Sequence, residues 1–121
     1  MITYRNNKVL FTGDVESHRK TSYRKNKLDE NHEVLKCDVL KVAHHGSSTS
    51  SDSDFISRTS AKYAIMSADS DRDLPDPEIV KRLEEDYDIK CFKTYQVGTA
   101  IICKSDGSTI TFTDHDGYPL D

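Results

Sequence analysis

Two short segments of this sequence carry side chains that could do chemistry, and each follows an apolar run. Asp14 follows the run at residues 9–11, and His44 and His45 follow the run at residues 39–43. Asp and His supply the oxygen and nitrogen ligands that zinc and manganese prefer. A carboxylate that bridges two ions about 3.5–4 Å apart lets two-metal hydrolases hold a phosphodiester. The two segments therefore indicate a metal site or a substrate contact.

Simpler interpretations of the same residues stay open at this level. A Thr-Gly-Asp sequence such as the one ending at Asp14 is common in turns, and a histidine is often only a satisfied core or surface group. Ser47 and Ser48, which follow the histidine pair, could hold an anion with nearby amides. They could equally form a solvated loop and helix cap.

The apolar and turn patterns predict the elements that must position these residues. A hairpin turn at Asn6-Asn7 joins two strands, and Asp76 followed by Pro77 is typical of a helix cap and first position. The predicted elements are strands at 2–5 and 8–11, a helix or crossover within 15–36, strands at 39–43 and 63–67, helices beginning near Asp54 and Asp76, and strands at 89–94, 99–104 and 108–113. This order predicts an α/β (α+β) fold with a mixed β-sheet and helices on one face. In such sheets ligands bind at the carboxyl ends of the strands, where Asp14 and the histidine pair should lie close together.

Composition bounds the class of protein. The 121 residues suit a single domain. A net charge of −4, from 17 basic and 21 acidic residues, argues against a constitutive nucleic-acid coat. The basic run at 18–27 and the acidic run at 52–88 are either solvated surfaces or, for the basic run, a means of steering an anionic substrate.

Targeting and cysteine patterns limit the cellular compartments in which this sequence is expected. No apolar run approaches the roughly 18–20 residues that cross a bilayer, and the first residues lack a signal-peptide pattern. The chain contains three cysteines and no Cys-x-x-Cys pair, so neither a zinc knuckle nor a disulfide framework is indicated. Free thiols fit a reducing compartment.

The motifs also resemble a known family. Residues 9–14 (VLFTGD) and 37–50 (CDVLKVAHHGSSTS) are similar to the late motifs of metallo-β-lactamase-fold hydrolases, above all the ComEC-type competence proteins. The similarity continues through 63–67, 75–78 and 98–107. The resemblance implies that residues 1–121 are one partial domain, the C-terminal half of a metallo-β-lactamase-like αββα sandwich.

The resemblance also implies roles for individual residues. Asp14 matches the family's bridging metal carboxylate, and the His44-His45 pair matches its last histidine motif. One of the two histidines would be a ligand; we favour His45, with His44 facing the substrate phosphate or the metal-bound water. Asp14 and His44 are thus also the catalytic candidates. The implied cofactor is a divalent metal, zinc or manganese, in a parent hydrolase of phosphodiesters such as DNA.

The sequence also departs from the family pattern. It lacks the His-x-His-x-Asp-His motif and the separate mid-chain histidine, and Leu74-Pro75-Asp76-Pro77 stands where relatives often carry His-Pro-His-Pro. His18, His32 and His115 match no ligand motif. We therefore expect an excised fragment, a remnant with another function, or a site completed by a second copy, and little or no metal bound by this chain alone.

Two functions follow from these departures. The first is a fragment of a metal-dependent hydrolase, with a phosphodiester or nucleic acid as substrate. The alternative is a non-catalytic half-domain that oligomerises or binds a partner, either the missing N-terminal half or a second copy. No membrane segment is expected; a stand-alone protein would be cytoplasmic, and part of a membrane competence protein could be extracytoplasmic.

Overall fold

A computed structural model describes residues 1–17, 35–69, 71 and 73–120. The described residues form seven strands: β1 (Ile2–Tyr4), β2 (Asn7–Phe11), β3 (Val39–Lys41), β4 (Tyr63–Met66), β5 (Lys90–Lys93), β6 (Ile102–Ser105) and β7 (Ile110–Thr113). They also form three α-helices: α1 (Ser53–Thr59), α2 (Pro77–Lys81) and α3 (Thr94–Val97). A π-helical turn over Arg82–Asp86 continues α2. Most of the segment predicted as a helix or crossover at 15–36 lies outside the described residues.

The fold is mixed α/β, as predicted. Within the described residues, one sheet has the order β1-β2-β3-β4-β5, and β6 and β7 form a separate antiparallel pair. β1 is antiparallel to β2, whereas β2, β3, β4 and β5 are parallel to one another. The carboxyl ends of β2, β3 and β4 therefore meet at one edge of the sheet.

Several predicted strand boundaries differ from the structure, and two of them have clear local reasons. The hairpin turn lies one residue earlier than predicted, because Asn7 is buried and already pairs with Tyr4 as a strand residue. The Asn7 side chain accepts a hydrogen bond from the Ser105 hydroxyl at 2.7 Å, which fixes it inside the structure. β3 ends at Lys41, before the predicted end at Ala43, because the chain turns sharply after Val42.

Side chains explain where the helices begin. The Asp52 carboxylate accepts a hydrogen bond from the Phe55 amide at 2.9 Å, so α1 begins one residue before its predicted start. Pro77 occupies the first turn of α2, as predicted. Asp76, predicted as its cap, makes no capping hydrogen bond with its side chain; the carboxylate accepts instead from the Ser48 amide in the loop after β3.

The sheet has a different cover on each face. α1 and α2 pack on one face through a continuous apolar core that includes Leu40, Val42, Ile56, Ala64, Met66, Ile79 and Leu83. The β6–β7 hairpin packs on the other face, where the ring centroid of Phe112 lies 4.4 Å from that of Phe92 and 4.9 Å from that of Tyr63. The apolar core confirms that α1 and α2 share one face of the sheet. The described residues therefore form three layers: helices, sheet and hairpin.

No helix in the described ranges combines the length and apolar character that a membrane crossing requires.

Candidate functional site

The parallel sheet brings three chemically active segments to one edge. Asp14 follows β2, the histidine pair follows β3, and Asp69 follows β4. The His44 amide donates a hydrogen bond to the Gly13 carbonyl at 3.0 Å, so the ends of β2 and β3 lie side by side. The predicted proximity of the two segments is confirmed for the backbone, and their joint metal binding stays a prediction.

The histidine pair sits in an unusual backbone conformation. His44 (φ 47°, ψ 44°) and His45 (φ 56°, ψ 17°) are both left-handed, and Gly46 follows with φ 87°. A left-handed residue other than glycine costs roughly 1–2 kcal/mol. Two such residues in succession persist only where the surrounding structure holds them, and such strain concentrates at functional sites.

Hydrogen bonds hold this turn in place. The Ser50 side chain is fully buried, and its hydroxyl lies 3.0 Å from the Ala43 carbonyl and 2.9 Å from the Ser47 carbonyl. The Ser47 amide donates to the His44 carbonyl at 2.9 Å, and the Asp76 amide donates to the Gly46 carbonyl at 3.0 Å. The turn is therefore held by the loop that follows it and by the segment that begins α2.

Ser67 fixes the tautomer of His45. The Nδ1 atom of His45 lies 2.5 Å from the Ser67 carbonyl oxygen. A carbonyl oxygen can only accept a hydrogen bond, so Nδ1 is the donor, and in the neutral ring Nε2 presents a lone pair. Metal-binding histidines usually donate their other ring N–H in this way. Which of the two histidines is a ligand stays a prediction.

His44 has looser contacts. Its Nδ1 atom lies 3.5 Å from the Thr49 hydroxyl and 3.9 Å from the nearer Glu16 carboxylate oxygen. The His44 and His45 ring centroids are 6.5 Å apart, with the planes inclined at 62°. The two imidazoles therefore occupy different surroundings, and the catalytic role of His44 stays a prediction.

Asp14 lies on the β2 side of the histidine pair. The Asp14 side chain is exposed. Burial lowers the pKa of the Lys41 ammonium, and the nearby Asp14 charge opposes part of that shift. The Lys41 ammonium donates to the Val42 carbonyl at 2.9 Å, and the Thr12 hydroxyl donates to the Lys41 carbonyl at 2.6 Å. The Thr12 hydrogen bond ties the end of β2 to the end of β3 beside Asp14.

A cleft of about 450 Å³ lies on the β4 side of the pair. The described residues that line it are His44, His45, Ser67, Ala68, Asp69 and Leu74. Sequence reasoning missed Ser67 and Asp69, although both lie at the end of the predicted strand at 63–67. It also missed Thr94, whose hydroxyl accepts from the Ala68 amide at 3.0 Å and donates to the Ala68 carbonyl at 2.8 Å. No local sequence pattern predicts a contact between two residues that lie 26 positions apart in the chain.

The donors present suit a divalent metal in type but not in number. Asp14 offers carboxylate oxygens and His45 offers Nε2, which are ordinary zinc and manganese ligands. Among the described residues, however, no three His, Cys, Asp or Glu side chains form a group that could hold an ion. Other donors would have to complete the coordination.

The described fold and site define a mixed α/β domain with polar residues gathered at the carboxyl edge of its parallel strands. No family model matches the chain. A stretch of 66 residues is 39% identical to ComE operon protein 3 of Bacillus subtilis (strain 168). The match covers 54% of this chain and 8% of that protein. It supports the coarser part of the predicted resemblance, similarity to a competence-related protein.

The substitution Gly46→Ala should destabilise the fold. An added Cβ would lie 2.5 Å from the Pro75 Cβ and 3.2 Å from the Pro75 Cα, in addition to the left-handed backbone cost of roughly 1–2 kcal/mol. Gly13→Ala is the matched control, because Gly13 has φ 55° and nothing lies within 4 Å of its added Cβ. Urea denaturation should show a loss at least about 1 kcal/mol larger for Gly46→Ala. Equal losses would contradict the packing of Gly46 against Pro75.

The tautomer of His45 can be measured directly. We expect long-range ¹H–¹⁵N spectra at a pH where the ring is neutral to show a protonated Nδ1 and an unprotonated Nε2, because Nδ1 faces the Ser67 carbonyl. His45→Ala identifies the signals. An unprotonated Nδ1 in the neutral ring would exclude the hydrogen bond to Ser67 and, with it, the orientation of the ring.

Proposed function

We propose that this chain is part of a metal-dependent hydrolase that acts on phosphodiesters such as DNA. Asp14 and His45 are ligands of a divalent ion, zinc or manganese, and His44 lies beside them at the substrate. The observation that carries the proposal is the strained left-handed histidine pair at the carboxyl edge of the sheet, with Nδ1 of His45 held by Ser67.

Each residue has a chemical task in this proposal. The Ser67 carbonyl orients the His45 ring so that Nε2 is free to bind, and Asp14 supplies carboxylate oxygens from the neighbouring strand end. When bound, the metal supplies hydroxide at neutral pH and stabilises negative charge on the phosphate. His44 lies at the sheet edge next to the end of β2, where its ring can contact a phosphate oxygen or exchange a proton.

We propose that the remaining ligands lie outside the described residues. Two donors cannot close a tetrahedral site. Sequence beyond this chain in the parent protein, or a second copy, would supply the rest.

A specific observation also favours the alternative, a half-domain that binds a second copy or a partner. Among the described residues, the exposed large apolar side chains are concentrated near the start of the chain, at Met1, Ile2, Tyr4, Phe11 and Val15. The strand register places Ile2, Tyr4 and Phe11 on the same face of the sheet as Val39. This is the face on which the β6–β7 hairpin packs. The hairpin therefore leaves the β1–β2 part of this face exposed, and exposed apolar patches drive association.

The hydrolase proposal predicts a loss of activity on removal of either ligand. This chain alone should show little or no chelator-sensitive hydrolysis of bis(p-nitrophenyl) phosphate, with zinc or manganese added, because its site is incomplete. A longer protein that includes the missing half should be active. Asp14→Ala or His45→Ala in that protein should lower both kcat and metal content.

His115→Ala is the matched control for these substitutions. The His115 ring contacts Thr99 at 2.9 Å and Asp116 at 3.1 Å and is no part of the proposed ligand set, so its removal should leave turnover unchanged. Robust turnover by this chain alone would refute the incomplete site. A longer protein that is active and indifferent to both ligand substitutions would refute the roles of Asp14 and His45.

The alternative function predicts self-association through the β1–β2 surface. Sedimentation velocity should show a dimer or larger species that Phe11→Ser shifts toward monomer, because the Phe11 side chain is 58% exposed in the apolar patch. Tyr118→Ser is the control, since Tyr118 is 70% exposed outside that patch. A monomer at high protein concentration, or equal effects of the two substitutions, would count against this surface.

A further inference from the structure

The cleft beside the histidine pair has the size of a small-molecule site. Its volume of about 450 Å³ falls within the range of roughly 300–1,000 Å³ that such sites usually occupy. Ala68 and Leu74 supply apolar surface, the two imidazoles supply planar rings, and Asp69 supplies a carboxylate. This lining suits a flat, largely apolar group that carries hydrogen-bond donors.

Charge decides which part of a nucleotide could enter. Asp69 is the only Asp, Glu, Lys or Arg among the described residues that line the cleft. A carboxylate in the lining repels the phosphate of a phosphodiester and accepts hydrogen bonds from an uncharged base. The cleft therefore suits the base rather than the phosphate.

The segment that carries Asp69 is held in position. Thr94 binds both the amide and the carbonyl of Ala68, at 3.0 and 2.8 Å, and so joins this segment to the start of α3. The Asp69 Oδ1 atom accepts from the Asp71 amide at 3.1 Å. A carboxylate has about four lone-pair positions, so both of its oxygens can accept further hydrogen bonds from a ligand.

We propose that this cleft binds the base of the nucleic-acid substrate and that Asp69 selects guanine; the proposal rests on the phosphodiesterase function above. Guanine presents two adjacent donors, N1–H and the N2 amino group, that match the two oxygens of one carboxylate. Cytosine and adenine present an amino group beside an acceptor nitrogen, and thymine presents one N–H between two carbonyl oxygens. These Watson–Crick edges are accessible only in an unpaired strand, so the preferred substrate is single-stranded.

The experiment measures nucleotide binding to this chain without metal. Dissociation constants for dGMP, dIMP and dTMP are obtained from ¹H–¹⁵N chemical shift titrations, and because all three carry the same phosphate, differences report on the base. A good bidentate contact contributes about 1–3 kcal/mol of discrimination, so dGMP should bind about tenfold more tightly than dTMP. dIMP, which lacks the N2 amino group, should lose most of that advantage.

The variant Asp69→Asn tests the carboxylate, because an amide cannot accept both hydrogen bonds from guanine. It should bring the three affinities within about twofold of one another. Asp73→Asn is the matched control: Asp73 is an exposed acid in the same loop with φ 53°, a conformation that Asn tolerates. It removes the same charge and should leave the preference for dGMP intact.

Several results would overturn the proposal. These are undetectable nucleotide binding, equal affinity for dGMP and dTMP, a preference that survives Asp69→Asn, and a preference that Asp73→Asn also removes.

Failure of the hydrolase proposal would look different. A guanine preference that depends on Asp69, in a longer protein without metal-dependent hydrolysis, would retain the base site and refute the hydrolase. Hydrolysis at equal rates on guanine and thymine dinucleotides would refute the base site alone.

Discussion

The left-handed turn over residues 43–46 is the constraint on which the rest of the site depends. If His44 and His45 continued β3 as ordinary strand residues, their side chains would point to opposite faces of the sheet. The turn instead keeps both imidazoles at the sheet edge, lining the same cleft. The buried Ser50 hydroxyl and the close packing of Gly46 against Pro75 hold the turn against its backbone cost.

This turn also connects the site to the core. Gly46 contacts the segment that begins α2, and α2 packs through Ile79 and Leu83 on the same apolar core that supports β3 and β4. The site is consequently built on rigid elements: two parallel strands below it and a helix start beside it. The histidine pair is thus joined to the start of α2 through Pro75, which lies against Gly46, and through the Asp76 amide, which donates to the Gly46 carbonyl.

The two faces of the sheet contribute differently. The face covered by helices holds the larger core. The face covered by the hairpin holds an aromatic cluster around Phe112, and its β1–β2 part carries the exposed side chains of Ile2, Tyr4 and Phe11. These exposed side chains mark the part of this face that the hairpin leaves uncovered.

Local sequence patterns were sufficient for the parts of this protein that depend on neighbouring residues. Alternating and β-branched runs predicted the strands, Pro77 predicted the start of α2, and two glycine-containing strand ends predicted that the segments of Asp14 and His44 would meet. Only the tertiary structure decided the tautomer of His45, the use of the Asp76 carboxylate by Ser48, and the place of Asp69 in the cleft. Each of these depends on a contact between distant parts of the chain, and such contacts follow from how whole strands and helices pack rather than from any local spacing of residue types.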